Sequence, residues 1–573
     1  MSTPPVQQAL SANPETKSPL PVKETKAQKS ERLKREKNPW EAFEDVRQFA
    51  REGRTSVLPE WASFYFKWWG VYTQGDGLGV TGGKGGEGNV TEYFMMRIGI
   101  PNGIASASQL RVIGQIARDH GQNLADITVR QAIQLHWLTI DSLPSVVEAL
   151  DKAGLSPRGA CGDVVRNVTG CPLAGLDGHE LIDASPLALA VSRELMGNSE
   201  FYNLPRKFKI TVTGCPVWCS YPEINDIAVT AVKRGPESDS EIGYSVRVGG
   251  GLSADPHLAV KLDAFVREDQ ALAVVRGITE IFKEQQGLRE SRDRARMKHL
   301  FLREGWTAER FLTELKAKLP FDLAPGVDDA VPEDVFRDHV GITTQKQPGL
   351  YTVGATVING RLTGEQLLSI ADLVEQYGGS EFRTTVMQNF VLPNVPKATL
   401  DEVLKGLAAL GLVVEGTNFW RGTVACTGTE FCKLAITETK GFSRWLVDEM
   451  ETRIPGFDQQ MSIHVTGCPN SCGQHWIADV GLEGKKIKHE GKLADAWSFA
   501  LGGALGVHAG VARLVNYRCL SNDVPEALER LLRGYLTTRA ENENLRAWFA
   551  QKSNDELRGI LESGVSSEVL VGA

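Results

Sequence analysis

The sequence lacks several features that would place it in other protein classes. It contains no run of about 18 apolar residues, so no membrane-spanning helix is expected. Basic residues are not in excess, because the formal net charge is -8 at pH 7, which argues against a general nucleic-acid-binding protein. The N-terminus lacks the apolar core of a secretory signal, so we expect a cytoplasmic protein.

Cysteine is also sparse, with 9 residues among 573. Without an export signal, these residues are expected to be reduced thiols or metal ligands rather than disulfides. The tight C-x2-C pair of zinc knuckles is absent, and no flavin or nicotinamide module is apparent. The glycine-rich residues 75–88 fit neither the P-loop spacing nor a strand–GxGxxG–helix context, so a loop is expected there.

The first 40 residues differ in composition from the rest of the chain. Residues 1–37 are rich in Pro, Ser, Thr, Lys and Glu and lack aromatic residues. This composition predicts a disordered, solvated tail over residues 1–40. The basic stretch KAQKSERLKREK is an alternative candidate for a targeting signal, but nearby glutamates are unusual in a transit peptide.

The remainder of the chain contains an internal repeat. VTGCPVWC at residues 212–219 returns as VTGCPNSC at residues 465–472, and NGIASASQL at residues 102–110 returns as NGRLTGEQL at residues 359–367. Each copy has the pattern of strand, amphipathic helix, strand and second helix. In the first of these helices, apolar residues recur at helical spacing: Leu110, Ile113, Ile116 and Ala117.

The repeat predicts an α+β protein of two homologous halves, each with a small sandwich unit and a larger α/β unit. The predicted domains are a tail at 1–40, a first small unit at 41–155, a first large unit at 156–330, a second small unit at 331–415 and a second large unit at 416–573.

The second half carries cysteines at the spacing of metal ligands. Cys426 and Cys432 lie in ACTGTEFC, and Cys468 and Cys472 lie in GCPNSC. Four thiolates suit either zinc or an iron–sulfur cluster. Wide turns rich in Gly, Thr and Asn can direct backbone N–H groups at cluster sulfides, which favours a [4Fe–4S] cluster over zinc or inert buried thiols.

The stretch TGTEFCKLAITETK followed by TGCPNSCGQ resembles the cluster motif of the sirohaem-dependent sulfite and nitrite reductases. The resemblance covers most of residues 45–560 and implies ferredoxin-like small units paired about a pseudo-twofold axis, with cofactors between the halves. It implies that four cysteines hold one [4Fe–4S] cluster: Cys426, Cys432, Cys468 and Cys472. By the same resemblance Cys472 bridges to the sirohaem iron, and Asn470 of the same motif belongs to the cofactor site.

The resemblance also implies binding roles for basic and polar residues of the first half. Each of them alone would be interpreted as a surface or structural residue. Sirohaem and a small oxyanion are both anionic, so their sites need cations. Four cations are implied to face the bound anion: Arg97, Arg166, Lys207 and Lys209. Three further residues are implied to contact the cofactor: Arg130, Gln134 and His136.

The resemblance implies a six-electron reduction of a small oxyanion, either sulfite to sulfide or nitrite to ammonia. A monomer that takes electrons from ferredoxin or a similar small carrier is expected. MMRIGIPNG is similar to nitrite reductases, whereas RKFK with Lys209 is similar to sulfite reductases. Tyr72 and Cys161 resemble a pair that forms a thioether in some ferredoxin–sulfite reductases, which favours sulfite. A cluster protein of tetrapyrrole modification is a further alternative.

The first half has cysteines of its own. Cys161, Cys171, Cys215 and Cys219 raise the alternative of a second cluster, but the upstream pair is spaced C-x9-C and lacks the TGTEFCK context. We therefore expect one cluster per chain, with the first-half turn a remnant of the duplication.

Overall fold

A computed structural model describes residues 24–74, 92–329 and 337–563 of the chain. The glycine-rich residues 75–88 lie outside the described residues, so the loop expected there stays a prediction. Among the helices that are described, none combines the length and apolar character needed to span a bilayer.

The N-terminal segment packs on the first half through three short helices. Lys34 is buried, donates to the Leu204 carbonyl at 2.9 Å and pairs with Asp163 at 3.1 Å. The predicted tail is therefore wrong for residues 24–40, because their charged side chains find partners that composition cannot reveal. The helices are α1 (Lys26–Glu36), α2 (Phe43–Glu52) and α3 (Pro59–Ser63).

The described part of each half contains the following elements. The first half has strands β1 (Val71–Thr73), β2 (Phe94–Ile98), β3 (Ile104–Ser106), β4 (Ala125–Ile127), β5 (Ile133–Leu138), β6 (Thr169–Gly170), β7 (Ile210–Thr213), β8 (Ile227–Arg234), β9 (Glu241–Val248) and β10 (Val260–Val266). Its helices are α4 (Ala107–His120), α5 (Leu143–Lys152), α6 (Ser185–Leu195), α7 (Glu268–Glu284), α8 (Lys298–Leu302) and α9 (Ala308–Lys318).

The second half repeats this order. Its strands are β11 (Gly341–Thr344), β12 (Leu350–Ala355), β13 (Arg361–Leu362), β14 (Glu381–Thr384), β15 (Phe390–Pro396), β16 (Thr423–Ala425), β17 (Ile463–Thr466), β18 (Val480–His489), β19 (Lys492–Leu501) and β20 (Arg513–Leu520). Its helices are α10 (Gly364–Gln376), α11 (Leu400–Ala409), α12 (Asn418–Gly422), α13 (Gly428–Phe431), α14 (Lys440–Arg453), α15 (Val524–Thr538), α16 (Leu545–Gln551) and α17 (Asn554–Glu562).

The two small units exchange strands. Their sheets have the orders β1-β2-β5-β4-β13 and β11-β12-β15-β14-β3, so each takes its last strand from the other half. β13 pairs with β4 through Leu362 and Ala125, and β3 pairs with β14 through Ala105 and Phe382. This reciprocal exchange confirms the pseudo-twofold pairing of ferredoxin-like units.

Two glutamines mark the same symmetry. The Gln131 amide donates to the Thr384 carbonyl at 2.8 Å across the interface, and the Gln388 amide donates to the Ile127 carbonyl at 3.1 Å. Each also accepts a backbone N–H from its own large unit, Gln131 from Gly170 and Gln388 from Ala425. The repeated glutamines thus tie the small units to the large ones.

One core runs through both small units. The predicted apolar face of α4 is buried there, and α4 packs closely on α10. A side chain at Gly114 would place its Cβ 3.0 Å from the Gly364 carbonyl oxygen, so glycine is needed where these helices meet.

The large units each have a mixed five-stranded sheet. Their orders are β10-β9-β8-β7-β6 and β16-β17-β18-β19-β20. The strands β6, β7 and β8 run parallel, as do β16, β17 and β18, and the other pairings are antiparallel. Each sheet has its own hydrophobic core, so the chain holds one shared small-unit core flanked by two large-unit cores.

Candidate functional site

The four second-half cysteines meet at the carboxyl ends of parallel strands, where α/β sheets commonly bind ligands. Cys426 directly follows β16, and Cys468 comes two residues after β17. Backbone N–H groups surround the sulfur atoms: Gly467 donates to Cys426 at 3.3 Å, and Asn470 donates to Cys468. This is the donor arrangement that iron–sulfur clusters use.

Burial keeps most of these thiols protonated in the absence of a metal. It raises the pKa of Cys432 and of Cys468 to about 12, and the neighbouring Cys472 adds to the effect. A metal centre must therefore replace the protons, and four thiols with N–H donors fit a [4Fe–4S] cluster. Cys472 itself is exposed, and its sulfur lies within electrostatic reach of Arg97 and Lys207 of the first half.

A group of cations lies opposite Cys472. Arg97 on β2 donates to the side-chain amide oxygen (Oε1) of Gln134 at 2.6 Å and to the Cys161 sulfur at 3.3 Å. Gln134 on β5 reaches on to the Thr427 hydroxyl at 3.5 Å, beside the cluster cysteines. Burial alone would lower the pKa of Arg97, but the facing Cys161, Tyr72 and Cys472 raise it overall.

Lys207 and Lys209 precede β7 and are half-buried, while Phe208 between them is buried in the core behind. Burial lowers the pKa of Lys207 to about 7, and that of Lys209 falls well below its ordinary value. Neighbouring arginines add to both shifts. This pocket is therefore short of negative charge, as an anion-binding site requires.

Arg130 is a second sign of missing negative charge. Its guanidinium donates to the Asn225 side chain at 2.8 Å and to the Asn167 carbonyl at 2.7 Å, but its buried Nε has no hydrogen-bond partner among the described residues. Burial lowers the pKa of Arg130 to about 9. An anionic macrocycle would supply the missing acceptor, so the residues present fit sirohaem.

Arg166 and His136 are engaged by the protein itself. Arg166 donates to the carbonyls of Ala160 and Gly162, on either side of Cys161. His136 does not join the cations, because its Nε2 lies 3.1 Å from a carboxylate oxygen of Asp126. Burial lowers the pKa of His136, so its imidazole is neutral.

The Asp126 carboxylate anchors a buried network next to the segment that carries Cys432. It pairs with Lys440 at 2.9 Å and Arg361 at 3.1 Å, in addition to His136. The His136 ring stacks on Phe431, directly before Cys432, at 4.0 Å. His136 therefore touches the segment that carries Cys432, a predicted cluster ligand, and its own predicted contact with the cofactor also stays a prediction.

Sequence reasoning missed three cations of this region: Lys67, Arg206 and Arg296. Arg296 is buried and pairs with Asp226 at 2.7 Å, and Asp226 also accepts the Lys209 backbone N–H at 2.8 Å. Asp226 belongs to the Ile-x-Asp repeat, which was the available signal. Nothing local in the sequence marks Arg296, which joins the site from 70 residues downstream.

Tyr72 and Cys161 lie side by side, within hydrogen-bonding range, and both contact Arg97. A thioether between them stays a prediction. Cys161 does not join the other first-half cysteines, since Cys171, Cys215 and Cys219 form a separate buried cluster. The four-cysteine set considered for a second cluster is therefore wrong.

Comparison with known families agrees with this site. The family described as "Nitrite and sulphite reductase 4Fe-4S domain" matches residues 161–323 and 416–567. The family described as "Nitrite/Sulfite reductase ferredoxin-like half domain" matches residues 87–153 and 343–410. The chain belongs to the nitrite and sulphite reductase family. This reductase is an oxidoreductase, and its cofactors are sirohaem and one [4Fe–4S] cluster.

Some of the similar proteins are named nitrite reductases and others are named sulfite reductases. The reductase is 36% identical over 89% of its length to an assimilatory ferredoxin-dependent nitrite reductase of Haloferax mediterranei, of which 89% is covered. It is 35% identical over 92% of its length to a ferredoxin sulfite reductase of Mycobacterium tuberculosis, of which 96% is covered. The solved structure of the Mycobacterium tuberculosis NirA protein matches with a TM-score of 0.87 at 33% identity, covering 92% of this chain and 97% of that one.

Proposed function

We propose that this reductase converts sulfite to sulfide with six electrons from reduced ferredoxin. The observation that supports this choice is the half-buried pair Lys207 and Lys209, whose ammonium groups lie within electrostatic reach of each other. Lys207, like Arg97, also lies within electrostatic reach of the Cys472 sulfur. Sulfite is larger and more highly charged than nitrite near neutral pH, so a second ammonium group helps it more. The neighbouring Tyr72 and Cys161 support the same substrate.

The chain's own residues hold the anion and supply protons. When bound, sirohaem supplies an iron at which the anion binds, and the cluster held by the four cysteines supplies single electrons. Arg97, with its raised pKa, stays charged and acts as a fixed electrostatic clamp. Lys207, whose pKa of about 7 matches neutral conditions, can give a proton to a departing oxygen and regain one from water.

Arg130 and Gln134 hold the pocket in place and take no direct part in the reaction. Arg130 has a buried Nε that needs an anionic acceptor, so we assign it to a carboxylate of the macrocycle. Gln134 links the Arg97 guanidinium to Thr427 beside Cys426. It therefore connects the anion-binding wall to the cluster segment across the interface between the halves.

Nitrite is the second candidate substrate, favoured by the similarity to the Haloferax mediterranei relative. Side-by-side kinetics with both anions and reduced ferredoxin test the proposal. We expect a higher kcat/KM for sulfite, and a higher value for nitrite would overturn the substrate choice. Iron analysis should give about five irons per chain, the sum of one cluster and one sirohaem.

A further inference from the structure

The first half has a second group of metal-ligand side chains, outside the site described above. Ligand atoms of Cys171, Cys219 and His339 all lie within 4.8 Å of one another. The sulfur atoms of Cys171 and Cys219 are 3.5 Å apart. Over the described ranges, this is the one set of three such ligands gathered so closely.

The repeat relates this group to the cluster ligands. Cys171 directly follows β6, just as Cys426 directly follows β16. Cys215 and Cys219 occupy the turn that corresponds to Cys468 and Cys472. The fourth cluster position, which Cys432 fills six residues after Cys426, corresponds to Asp177, six residues after Cys171. Three of the four cluster-ligand positions thus keep their cysteine.

The spacing of the sulfur atoms indicates a different metal centre. Sulfur ligands at ~2.3 Å from one tetrahedral Zn²⁺ ion lie about 3.8 Å apart. The separation of Cys171 and Cys219 is close to this value. The second-half cysteines, by contrast, form no group of three within 4.8 Å, which leaves room for a larger cluster. The first-half group therefore fits a single ion.

Cys215 is the candidate for the remaining coordination position, although its sulfur does not lie within 4.8 Å of all three ligand atoms named above, so its side chain must turn toward them when an ion binds. Cys215 packs in the same buried cluster as Cys171 and Cys219, and its sulfur lies 3.8 Å from a carboxylate oxygen of Asp177. Asp177 is itself held by Arg337 at 2.6 Å. The buried Nε2 of His339 has no hydrogen-bond partner within the described part of the chain. Three thiols and an unpartnered imidazole nitrogen form a Cys3His donor set.

The surroundings exclude a second macrocycle at this place. Three cations of the anion pocket have no charged counterpart in the repeat, where Arg97 corresponds to Gly354, Arg130 to Met387 and Lys209 to Ser462. Arg166 does have one, Arg421, but its guanidinium is already paired with the Asp338 carboxylate at 2.7 Å. Strand register supports the correspondence of Arg97 to Gly354, since Gly354 pairs with Val391 as Arg97 pairs with Gln134. Met387 lies against Tyr221, two residues after Cys219, at 2.8 Å. An anionic cofactor would find no free charge partner among these residues.

We propose that Cys171, Cys215, Cys219 and His339 bind one structural Zn²⁺ ion. Each thiol gives up its proton as the ion binds. The ion would join the first large unit to the segment that leads into β11 and the second half. The duplicated turn then retains metal binding in both copies, with a cluster in one and a single ion in the other.

Metal analysis of the purified holoenzyme, from cells supplied with Zn²⁺, tests this proposal. We expect about one zinc per chain, with zinc X-ray absorption showing about three sulfur ligands at ~2.3 Å and one nitrogen at ~2.0 Å. Cys219→Ser and His339→Ala should each lower the zinc content at least several-fold. Cys519→Ser, which removes a buried thiol of the second large unit, is the matched control and should keep its zinc.

Three results would overturn the proposal. Holoenzyme with its full sirohaem absorbance but no zinc would show that the site holds no ion. A mass two hydrogen atoms lower, traced to a Cys171–Cys219 peptide pair, would show a disulfide instead. An iron content near nine per chain would show a second [4Fe–4S] cluster. The wild-type zinc content and absorption spectrum decide the matter even if the variants fail to fold.

Discussion

Anion binding by this reductase should depend on pH through Lys207. Burial lowers the pKa of this ammonium group to about 7, and Arg296 and Arg166 add to the shift while Cys472 opposes it. Ordinary lysine, with a pKa of about 10.4, would stay charged across the neutral range. Lys207 is therefore charged in about half of the molecules at pH 7 and in about 1% at pH 9.

The protonated form of Lys207 binds the anion, so affinity should fall as pH rises. We expect kcat/KM for nitrite to approach a tenfold fall per pH unit well above the midpoint, and to fall about 50-fold between pH 7 and 9. Nitrite is the right probe because it stays singly charged over this range, whereas sulfite does not. Carboxylates of sirohaem would move the midpoint upward without changing the slope.

Lys207→Arg should flatten this profile, because arginine keeps its charge at every pH tested. The assay measures kcat/KM from pH 6 to 9 with reduced methyl viologen, whose potential does not depend on pH. Lys346→Arg is the matched control, since the Lys346 side chain is exposed and pairs with Glu180 rather than with a residue of the anion pocket. If Lys207→Arg keeps the wild-type slope, another group titrates and the reasoning fails.

Three further predictions concern single side chains. Lys209→Asn should lower kcat/KM for sulfite roughly tenfold more than for nitrite, and an unchanged ratio of the two would contradict this. Cys472→Ser should abolish six-electron turnover, so near-normal activity with reduced donor would exclude the bridging role. Burial raises the pKa of Glu223 to about 7, so its stabilising contribution is present below pH ~4.3 and is lost as pH rises through 7. Glu223→Gln should therefore raise the unfolding free energy by on the order of 3 kcal/mol at pH 8 but little at pH 4, and equal effects in calorimetry at both pH values would refute this.

The sequence predicted those parts of the fold in which a motif is repeated or apolar residues recur at regular spacing. The apolar face of α4 follows from its spacing, and burial of Leu110 and Ile113 confirms it. The cysteine turns could be found because two short motifs carry all four predicted cluster ligands. Lys207 and Lys209 could be placed together because alternate residues of an extended segment point the same way.

Long-range pairing explains what the sequence did not predict. Arg296 joins the cation pocket through Asp226, and no local pattern marks the partnership. Lys34 belongs to a stretch whose composition suggests disorder, yet it is buried against Asp163. The exchange of β3 and β13 between the small units is equally invisible, because two or three residues of strand carry little periodicity.

Two copies of one turn differ in function because different surroundings face them. Cys472 ends its turn opposite Lys207 and Arg97 of the other half, and this positive charge favours anionic ligands next to the cluster. The corresponding Cys219 has no such cations in the matching positions of the second half. Instead it meets Cys171 at a separation suited to one ion. The backbone of the turn fixes where the sulfur atoms lie, and the partner half decides which chemistry they can support.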